Sequence, residues 1–427
     1  MQINLTVFIE INGISTYVGD IKGSSPENAQ FAYAEEYLKN PESRPVSISL
    51  PLKKTPFSTE NTRIFFEGLL PEGFTRRCVA GWIHVDENDY LSILAKLGNE
   101  CLGAIKIIAE GSSEITPDYL SLSDQEVKKL AREGAVESAQ LVTKAHLSLT
   151  GASGKVGLYY NESDCQWYLP VGNAPSTHIV KQSHVRLKEI VINEQLCLLT
   201  AQNLGIDISE SFIINTGNYA DEDVLFATRR YDRQICTDNK RINGLPVPYR
   251  LHQEDFAQAL GIPASAKYEK DHGDYLKRMF DLLRIYSSDP VADQLKLWDI
   301  CIFNFLIGNT DNHIKNVSLL YGPDLNSVHL APAYDIISTV IYESSTDNMA
   351  LSIGGLYRIG DISRQAFADE AGKIGLGTPI AMKHFDDMAE HFKNAINKAQ
   401  EMLEKQKMVQ VNSMKEEILL KGGISNL

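Results

Sequence analysis

The feature that most constrains this chain is the run from Leu295 to Ile307, apolar around nearly every side of a helix, which leads directly into Gly-Asn-Thr-Asp-Asn-His at 308–313. A helix without a polar face is stable only when other elements enclose it. The run therefore predicts the buried spine of a helical lobe, with a polar loop at its end. Asp311 sits in that loop and Asn316 follows five residues later. A strand-like Val317-Ser318-Leu319-Leu320 comes next, then a second short strand, Val328-His329-Leu330, then Tyr334-Asp335.

The order of an Asp, an Asn five residues on, a hairpin and a second Asp is the order that phosphoryl transfer by a protein kinase requires. One carboxylate takes the hydroxyl proton, an amide oxygen holds one magnesium, and a second carboxylate holds the metals that bridge the phosphates. Asp, Asn and Gly are also ordinary turn residues, because their side chains cap the backbone locally. An isolated D-x-x-x-x-N would be read as a turn; the buried helix before it and the second Asp after a strand are what favour metal and phosphate chemistry.

At 427 residues the chain is long enough for two or three domains. Its 43% hydrophobic and 22% charged residues read as globular. A formal net charge of −14 and a pI near 5.2 disfavour direct binding to nucleic acid but permit docking onto a basic partner. The six cysteines, at 78, 101, 165, 197, 236 and 301, form no C-x-x-C pair, which suggests reduced thiols. There is no basic stretch before an apolar one at the N-terminus and no run of eighteen apolar residues, so a cytoplasmic location is expected.

Residues 1–110 read as a small α+β module. Ile3, Leu5, Val7 and Ile9 alternate with polar neighbours, and Asn12-Gly13 supplies the positive φ angles of a tight hairpin turn. Val46, Ile48 and Leu50 alternate as a further strand ended by Pro51. Helices are expected over Asn61–Leu70 and Asp86–Leu97, with Asp86 as cap, followed by a strand over 103–108. Cys78, Cys101 and His84 lack chemical neighbours in sequence, so the module reads as structural or partner-binding.

A turn-rich boundary spans 110–117, and Ser123 with Glu126 makes a capping box. In LSLTGASGKVGLYY, residues 147–160, two strands flank Gly151-Ala152-Ser153-Gly154-Lys155. Backbone N–H groups of such a turn can approach phosphates closely, although an exposed hairpin has the same signature. Thr177–Lys181 is a strand ending in a lysine, and the helix behind it, Lys188–Leu204, carries Glu194. A strand lysine and a helical glutamate can pair and hold the lysine against phosphates, yet each is equally an ordinary surface charge. A hairpin over Ile213–Phe226 leads to Thr228–Asp232, where a hinge would join two lobes. Beyond about 234 the chain is largely helical, over Gln253–Leu260, Tyr275–Ser287, Val291–Ile307 and Ile380–Gln406.

These residues resemble the HipA family, bacterial toxins with a Ser/Thr-kinase-like fold. The resemblance is carried in order by FFEGLLPEG (65–73), LSILAKLGNECLGAI (91–105), S-x-x-G-A-x-x-K (148–155), THIVK (177–181), NEQLCLLTAQNLGI (193–206), RYDR (230–233), LHQEDFAQALGIP (251–263), IGNTDNHIKNVSL (307–319) and PAYDIIS (332–338). It implies an α+β, bilobal, protein-kinase-like fold with an additional N-terminal module. The parts would be 1–110, a kinase N-lobe over 111–229 with the phosphate flap, and a helical C-lobe over 230–427.

The resemblance also implies ATP and Mg2+, Asp311 as catalytic base, and Asn316 and Asp335 as metal ligands. Gly151, Ala152, Ser153, Gly154, Lys155, Lys181 and Glu194 would serve the nucleotide, as would Arg230 and Tyr231 at the hinge. His313 stands where many kinases carry a lysine. Ser148, with Thr150 as the alternative, matches a serine whose autophosphorylation displaces the flap and inactivates the enzyme. One departure is Arg229, where the family usually has a glutamate before the hinge. The implied targets are aminoacyl-tRNA synthetases, and the implied partner is a small helix-turn-helix, HipB-like antitoxin dimer through which DNA is reached indirectly. A small-molecule phosphotransferase and a catalytically silent corepressor bridging antitoxin–DNA complexes are the alternatives.

Overall fold

The structure is a computed structural model and describes residues 3–112, 115–133, 154–183, 187–236, 240–270 and 273–427. Two compact units emerge, each built from separate stretches of chain. The first comprises Met1–His184, Ile214–Ala264 and Leu320–Ser327; the second comprises Val185–Ile213, Ser265–Leu319 and Val328–Leu427. The helix bearing Glu194 thus belongs to the same unit as Asp311, and Lys181 belongs to the other. Among the described residues no helix is long and apolar enough to cross a membrane.

In the first unit the strands Ile3–Ile11 and Ile14–Gly23 form the expected hairpin, with Asn12 at φ 50° and Gly13 at φ 74°. Both central residues in the left-handed region is the turn geometry that matches the twist of paired strands. Leu5, Val7 and Ile9 are fully buried, as their alternation requires. Gln30–Tyr33 and Ile105–Ala109 complete a four-stranded sheet. Five neighbouring strands of a six-stranded second sheet run in the order Asp118–Ser121, Gln166–Val171, Lys155–Asn161, His178–Gln182, Val224–Arg229. The capping box forms as expected, Ser123 N donating to Glu126 Oε2 at 2.8 Å.

Several local expectations are corrected. Val46–Leu50 is not a strand but a run of turns and bends, because its backbone is satisfied by side chains rather than by a neighbouring strand. Tyr33 Oη donates to Leu50 O at 2.6 Å and accepts from Val46 N at 2.9 Å, while Ile48 N donates to Glu254 Oε1 at 3.0 Å. The helix placed at Asp86 begins at Tyr90, capped by Asp89, whose Oδ1 accepts from Ser92 N at 3.1 Å. The helix placed at 61–70 runs Thr59–Glu67, and Pro71 is followed by a further helix, Gly73–Trp82, that the pattern did not indicate. Gln253–Asp255 is a short strand, and the helix proper is Phe256–Leu260 with an Asp255/Gln258 capping box.

A buried ionic cluster ties the N-terminal module to the RYDR segment. Glu100 Oε1 accepts from Arg230 Nη1 at 3.2 Å and Arg233 Nη2 at 2.9 Å, and Glu100 Oε2 accepts from Arg250 Nε at 3.0 Å. Asp232 Oδ2 accepts from Arg230 Nη2 and from Gly103 N, each at 2.8 Å. Glu10 Oε2 meets Arg250 Nη1 at 3.3 Å, so three guanidiniums face three carboxylates. Burial acts to raise the Glu100 carboxyl, but Arg233, Arg250 and Arg230 outweigh it and hold the group down at about 2. Neutrality makes this burial tolerable, since an unpaired charge in a dry interior is far costlier than a paired one.

The second unit is organised on the helix Pro290–Ile307, begun by Asp289, whose Oδ1 accepts from Ala292 N at 3.2 Å. Its apolar surface is enclosed as the sequence demands. Trp298 Nε1 donates to Ala381 O at 2.9 Å, and Trp298 and Phe305 both contact the Phe367 ring at centroid separations of 5.6 and 5.1 Å. The long helix Thr378–Lys405 packs beside Ile190–Asn203, where Asn203 Nδ2 donates to Ala395 O at 3.1 Å. Gly308 ends the spine at φ 71°, and a Cβ there would lie 2.3 Å from Val340 Cγ2, so only glycine fits.

Glu100→Gln should destabilise the first unit by about 3–5 kcal/mol, because it leaves buried guanidiniums under-compensated; urea unfolding followed by tryptophan fluorescence measures it. A second expectation concerns Glu254, pushed up to about 7 by burial despite hydrogen bonds from Ser47, Tyr321 and the Ile48 N–H. Its folded value lies above the unfolded one, so ionising it costs stability as pH rises from about 4.5 to about 7. The melting temperature of Glu254→Gln relative to wild type should therefore increase between pH 5 and pH 8, and an unchanged difference would show that Glu254 is ionised in the fold at both.

Candidate active site

The loop after Gly308 is polar yet buried, so each of its groups needs a partner. Asn304, within the spine, donates from Nδ2 to Ile300 O at 2.8 Å and accepts at Oδ1 from Asn309 Nδ2 at 2.6 Å. Asn309 Oδ1 in turn accepts from Asp311 N at 3.1 Å. A second support comes from residues just past Asp335. Thr339 Oγ1 donates to Gly308 O at 3.0 Å and accepts from Thr310 N at 2.7 Å. Its one proton is thereby used, so in the 2.7 Å contact between the two hydroxyls Thr310 Oγ1 is the donor. Ser338 Oγ donates to Ile307 O at 2.6 Å, and Ser338 N donates to Asn193 Oδ1 at 3.1 Å, with Asn193 Nδ2 returning to Ser338 O at 2.8 Å. The segments carrying Asp311 and Asp335 are thus bolted together through backbone and hydroxyl bonds, and the helix bearing Glu194 supplies Asn193 to the same knot.

Asp311 and Asn316 share one tight turn. His313 N donates to Asp311 O at 2.8 Å, Asn316 N donates to His313 O at 2.8 Å, and Asn316 Nδ2 donates to Asp311 O at 3.0 Å. With Nδ2 so used, the Asn316 amide has its oxygen as the donor it could offer a cation. Asn316 also lines a small concavity with Asn312, Ser318 and Tyr334, and Tyr334 immediately precedes Asp335. Asp335 lies at φ 56°, a left-handed conformation that costs a non-glycine residue on the order of 1–3 kcal/mol. Asp and Asn bear it better than most residues, and such strain clusters where a side chain must point one way. An amide oxygen and a carboxylate are hard donors, the chemistry that suits Mg2+ when substrate phosphates complete the shell. The residues present therefore fit the metal. His313 is buried and stands edge-on to Tyr268, ring centroids 5.1 Å apart.

In the first unit, Lys155 and Lys181 are directly opposite one another on adjacent antiparallel strands. Opposed residues share a face and lie side by side, and like charges so placed repel unless an anion lies between them. Lys181 is 7% exposed, with Nζ 5.5 Å from the Phe226 ring centroid. Gly154 is buried beside Lys155. Ser148, Thr150, Gly151, Ala152 and Ser153 lie outside the described residues. Arg230 is committed to the ionic cluster, and its N–H donates to Thr177 O at 2.9 Å. Tyr231 Oη bonds Gln253 Oε1. Arg229 is exposed, its Nη1 3.5 Å from Glu162 Oε1. Glu194 is buried on the helix Ile190–Asn203.

Sequence reasoning missed Asn193, Ser338, Thr339 and Tyr268. Asn193 and Ser338 stood only at the ends of NEQLCLLTAQNLGI and PAYDIIS with no role attached, Thr339 carried no signal, and Tyr268 had no spacing relation to Asp311.

Comparison with known proteins bears on the family and the fold. The family model of the HipA-like C-terminal domain matches residues 147–408 and that of the HipA N-terminal domain matches residues 10–108. The protein Y4mE of Sinorhizobium fredii is 33% identical over 375 residues, covering 86% of this chain and 85% of that one. The serine/threonine-protein kinase toxin HipA of Shewanella oneidensis is 25% identical over 363 residues, covering 82% and 80%. A solved structure of the Shewanella oneidensis HipA, in complex with HipB and its operator DNA, shares the fold with a TM-score of 0.79 at 23% identity, over 97% of this chain and 96% of that one. The α+β kinase-like architecture that the resemblance implies is therefore present, and the chain belongs to the HipA family of serine/threonine-protein kinase toxins.

Proposed function

We propose that this kinase moves the γ-phosphoryl group of ATP, with Mg2+, to a serine or threonine of a component of the translation machinery such as an aminoacyl-tRNA synthetase, and so arrests growth. The observation that carries the reading is the shared turn of Asp311 and Asn316, locked to the Asp335 segment by Thr339 and Ser338. Positioning and electrostatics supply nearly all catalysis in this chemistry, and a loop bonded at both ends supplies positioning. Asp311 accepts the hydroxyl proton as the new oxygen–phosphorus bond forms. Asn316 and Asp335 would hold Mg2+, which when bound would offset the negative charge of the phosphate oxygens.

Lys155 and Lys181 share a face suited to the nucleotide's phosphates, with Gly151–Gly154 as the flap over them. Glu194 and His313 also serve the nucleotide in this reading, as do Arg230 and Tyr231 at the hinge. In this reading the working parts are the N-terminal module over 1–110, an N-lobe over 111–229 and a C-lobe over 230–427. Phosphorylation at Ser148 adds about −1.5 to −2 charges beside the flap, which competes with ATP phosphates for the same N–H donors and turns the enzyme off. The partner in this reading is a HipB-like helix-turn-helix antitoxin dimer, supported by the complex in which the Shewanella protein was solved. The setting is cytoplasmic.

Asp311→Asn and Asp335→Asn should each abolish growth arrest on expression and Ser148 phosphorylation, read by intact mass; a wild-type rate in Asp335→Asn would remove the metal site from this reading. Because the chain carries a formal net charge of −14, it should bind operator duplex only weakly by itself, and tightly once a basic antitoxin is added. Tight, salt-sensitive binding of the isolated chain in a mobility-shift assay would overturn the indirect route to DNA.

A further inference from the structure

A tyrosine stands on the carboxylate assigned as the base. Tyr268 Oη donates to Asp311 Oδ1. The ring is 40% exposed and so gains little from burial, yet its segment is pinned on both sides. Ahead of it, Tyr275 Oη donates to Ala266 O at 2.8 Å. Behind it, Glu269 is 7% exposed, donates from N to Ala350 O at 2.9 Å, and accepts from Tyr275 N at 3.2 Å and Ser352 N at 2.7 Å. A rigid mount thus carries an accessible hydroxyl to one oxygen of a functional carboxylate. The same ring meets His313 edge-on, at 85° between planes, which fixes its tilt as well as its reach.

We propose that Tyr268 is a positioning residue for phosphoryl transfer, holding Asp311 by Oδ1 so that Oδ2 faces the incoming hydroxyl. The terminal torsion of an aspartate is broad and roughly two-fold, so the loop alone does not choose which oxygen points at the substrate; a fixed donor on one oxygen does. In the step itself the substrate O–H gives its proton to Asp311 Oδ2, its oxygen bonds to the γ-phosphorus, and the bridging P–O bond breaks to leave ADP. Tyr268 keeps its proton throughout. This inference rests on Asp311 being the base.

The test uses the full chain with Mg2+ and γ-labelled ATP, following total loss of the γ-phosphate to protein or water, beside affinity for a fluorescent ATP analogue. Tyr268→Phe should slow turnover by roughly 10- to 100-fold, the scale set by small misplacements of a reacting group. KM for ATP, analogue affinity and melting temperature should stay at wild-type values, a split that a merely structural role would not give. In the Asp311→Asn background the same change should cost nothing further, because the two residues act as a unit. Turnover in Tyr268→Phe at or above the wild-type rate would overturn the proposal, and faster turnover would mark Tyr268 as a plug occupying the substrate's place. An inactive Asp311→Asn with a fully active Tyr268→Phe removes only the tyrosine's role; an active Asp311→Asn removes the base as well. Should Tyr268→Phe fail to fold, labelling the tyrosine Cζ atoms with carbon-13 in otherwise wild-type and Asp311→Asn chains decides. One tyrosine resonance must move between them, and none moving overturns the contact.

Discussion

The second unit depends on a few hydroxyl and amide groups that satisfy a backbone loop inside an apolar enclosure. A spine helix buried on nearly every side must end somewhere, and at Gly308 it ends among side chains that cannot supply water. Thr339 and Ser338 take over that task for Gly308, Thr310 and Ile307, and Asn193 secures Ser338 on both its N–H and its C=O. Each such group left unbonded would cost about 1–3 kcal/mol. The stability of the enclosure and the placement of Asp311 are consequently one requirement: the bonds that make the loop tolerable also give it a single conformation.

The first unit meets the same requirement with charge in place of hydroxyls. Glu100, Asp232 and Glu10 balance Arg230, Arg233 and Arg250. The planar guanidinium suits this, because its five donors can reach several acceptors at once, as Arg233 does with Glu100, Asp232, Gly103 O and Cys101 O. The RYDR segment is held both by its own side chains and by its main chain, Arg230 N donating to Thr177 O and Asp232 O accepting from Leu251 N, each at 2.9 Å. The departure at Arg229 is accommodated at the surface, next to Glu162, outside this cluster.

What could be read from the sequence was whatever is decided locally. The Asn12-Gly13 turn, the Ser123/Glu126 box and the Gly308 stop each follow from a few adjacent residues, and each is found where expected. Asp311, Asn316 and Asp335 could be singled out because their order along the chain is itself the signal. Misreadings arose where the partner is remote. The Val46–Leu50 alternation looks like a strand until Glu254, 206 residues from Ile48, takes its N–H. Nor does anything in RYDR announce that the Arg230 side chain is taken up by Glu100, 130 residues away. Tyr268 and Thr339 escaped for the same reason: a hydroxyl that closes a network has no periodicity.

The packing of Ile190–Asn203 against Thr378–Lys405 sets the order in which the supports of the loop can be completed. Asn203 bonds Ala395 across 192 residues, and Asn193 bonds Ser338 across 145. At about 5–20 residues per second of ribosomal synthesis, the earlier helix waits on the order of 10–40 s for the later one. A ribosome-bound chain that has already exposed Asp311 lacks the elements that hold it in place. The single conformation of the loop is thus a late product of synthesis, because its supports lie far apart along the chain.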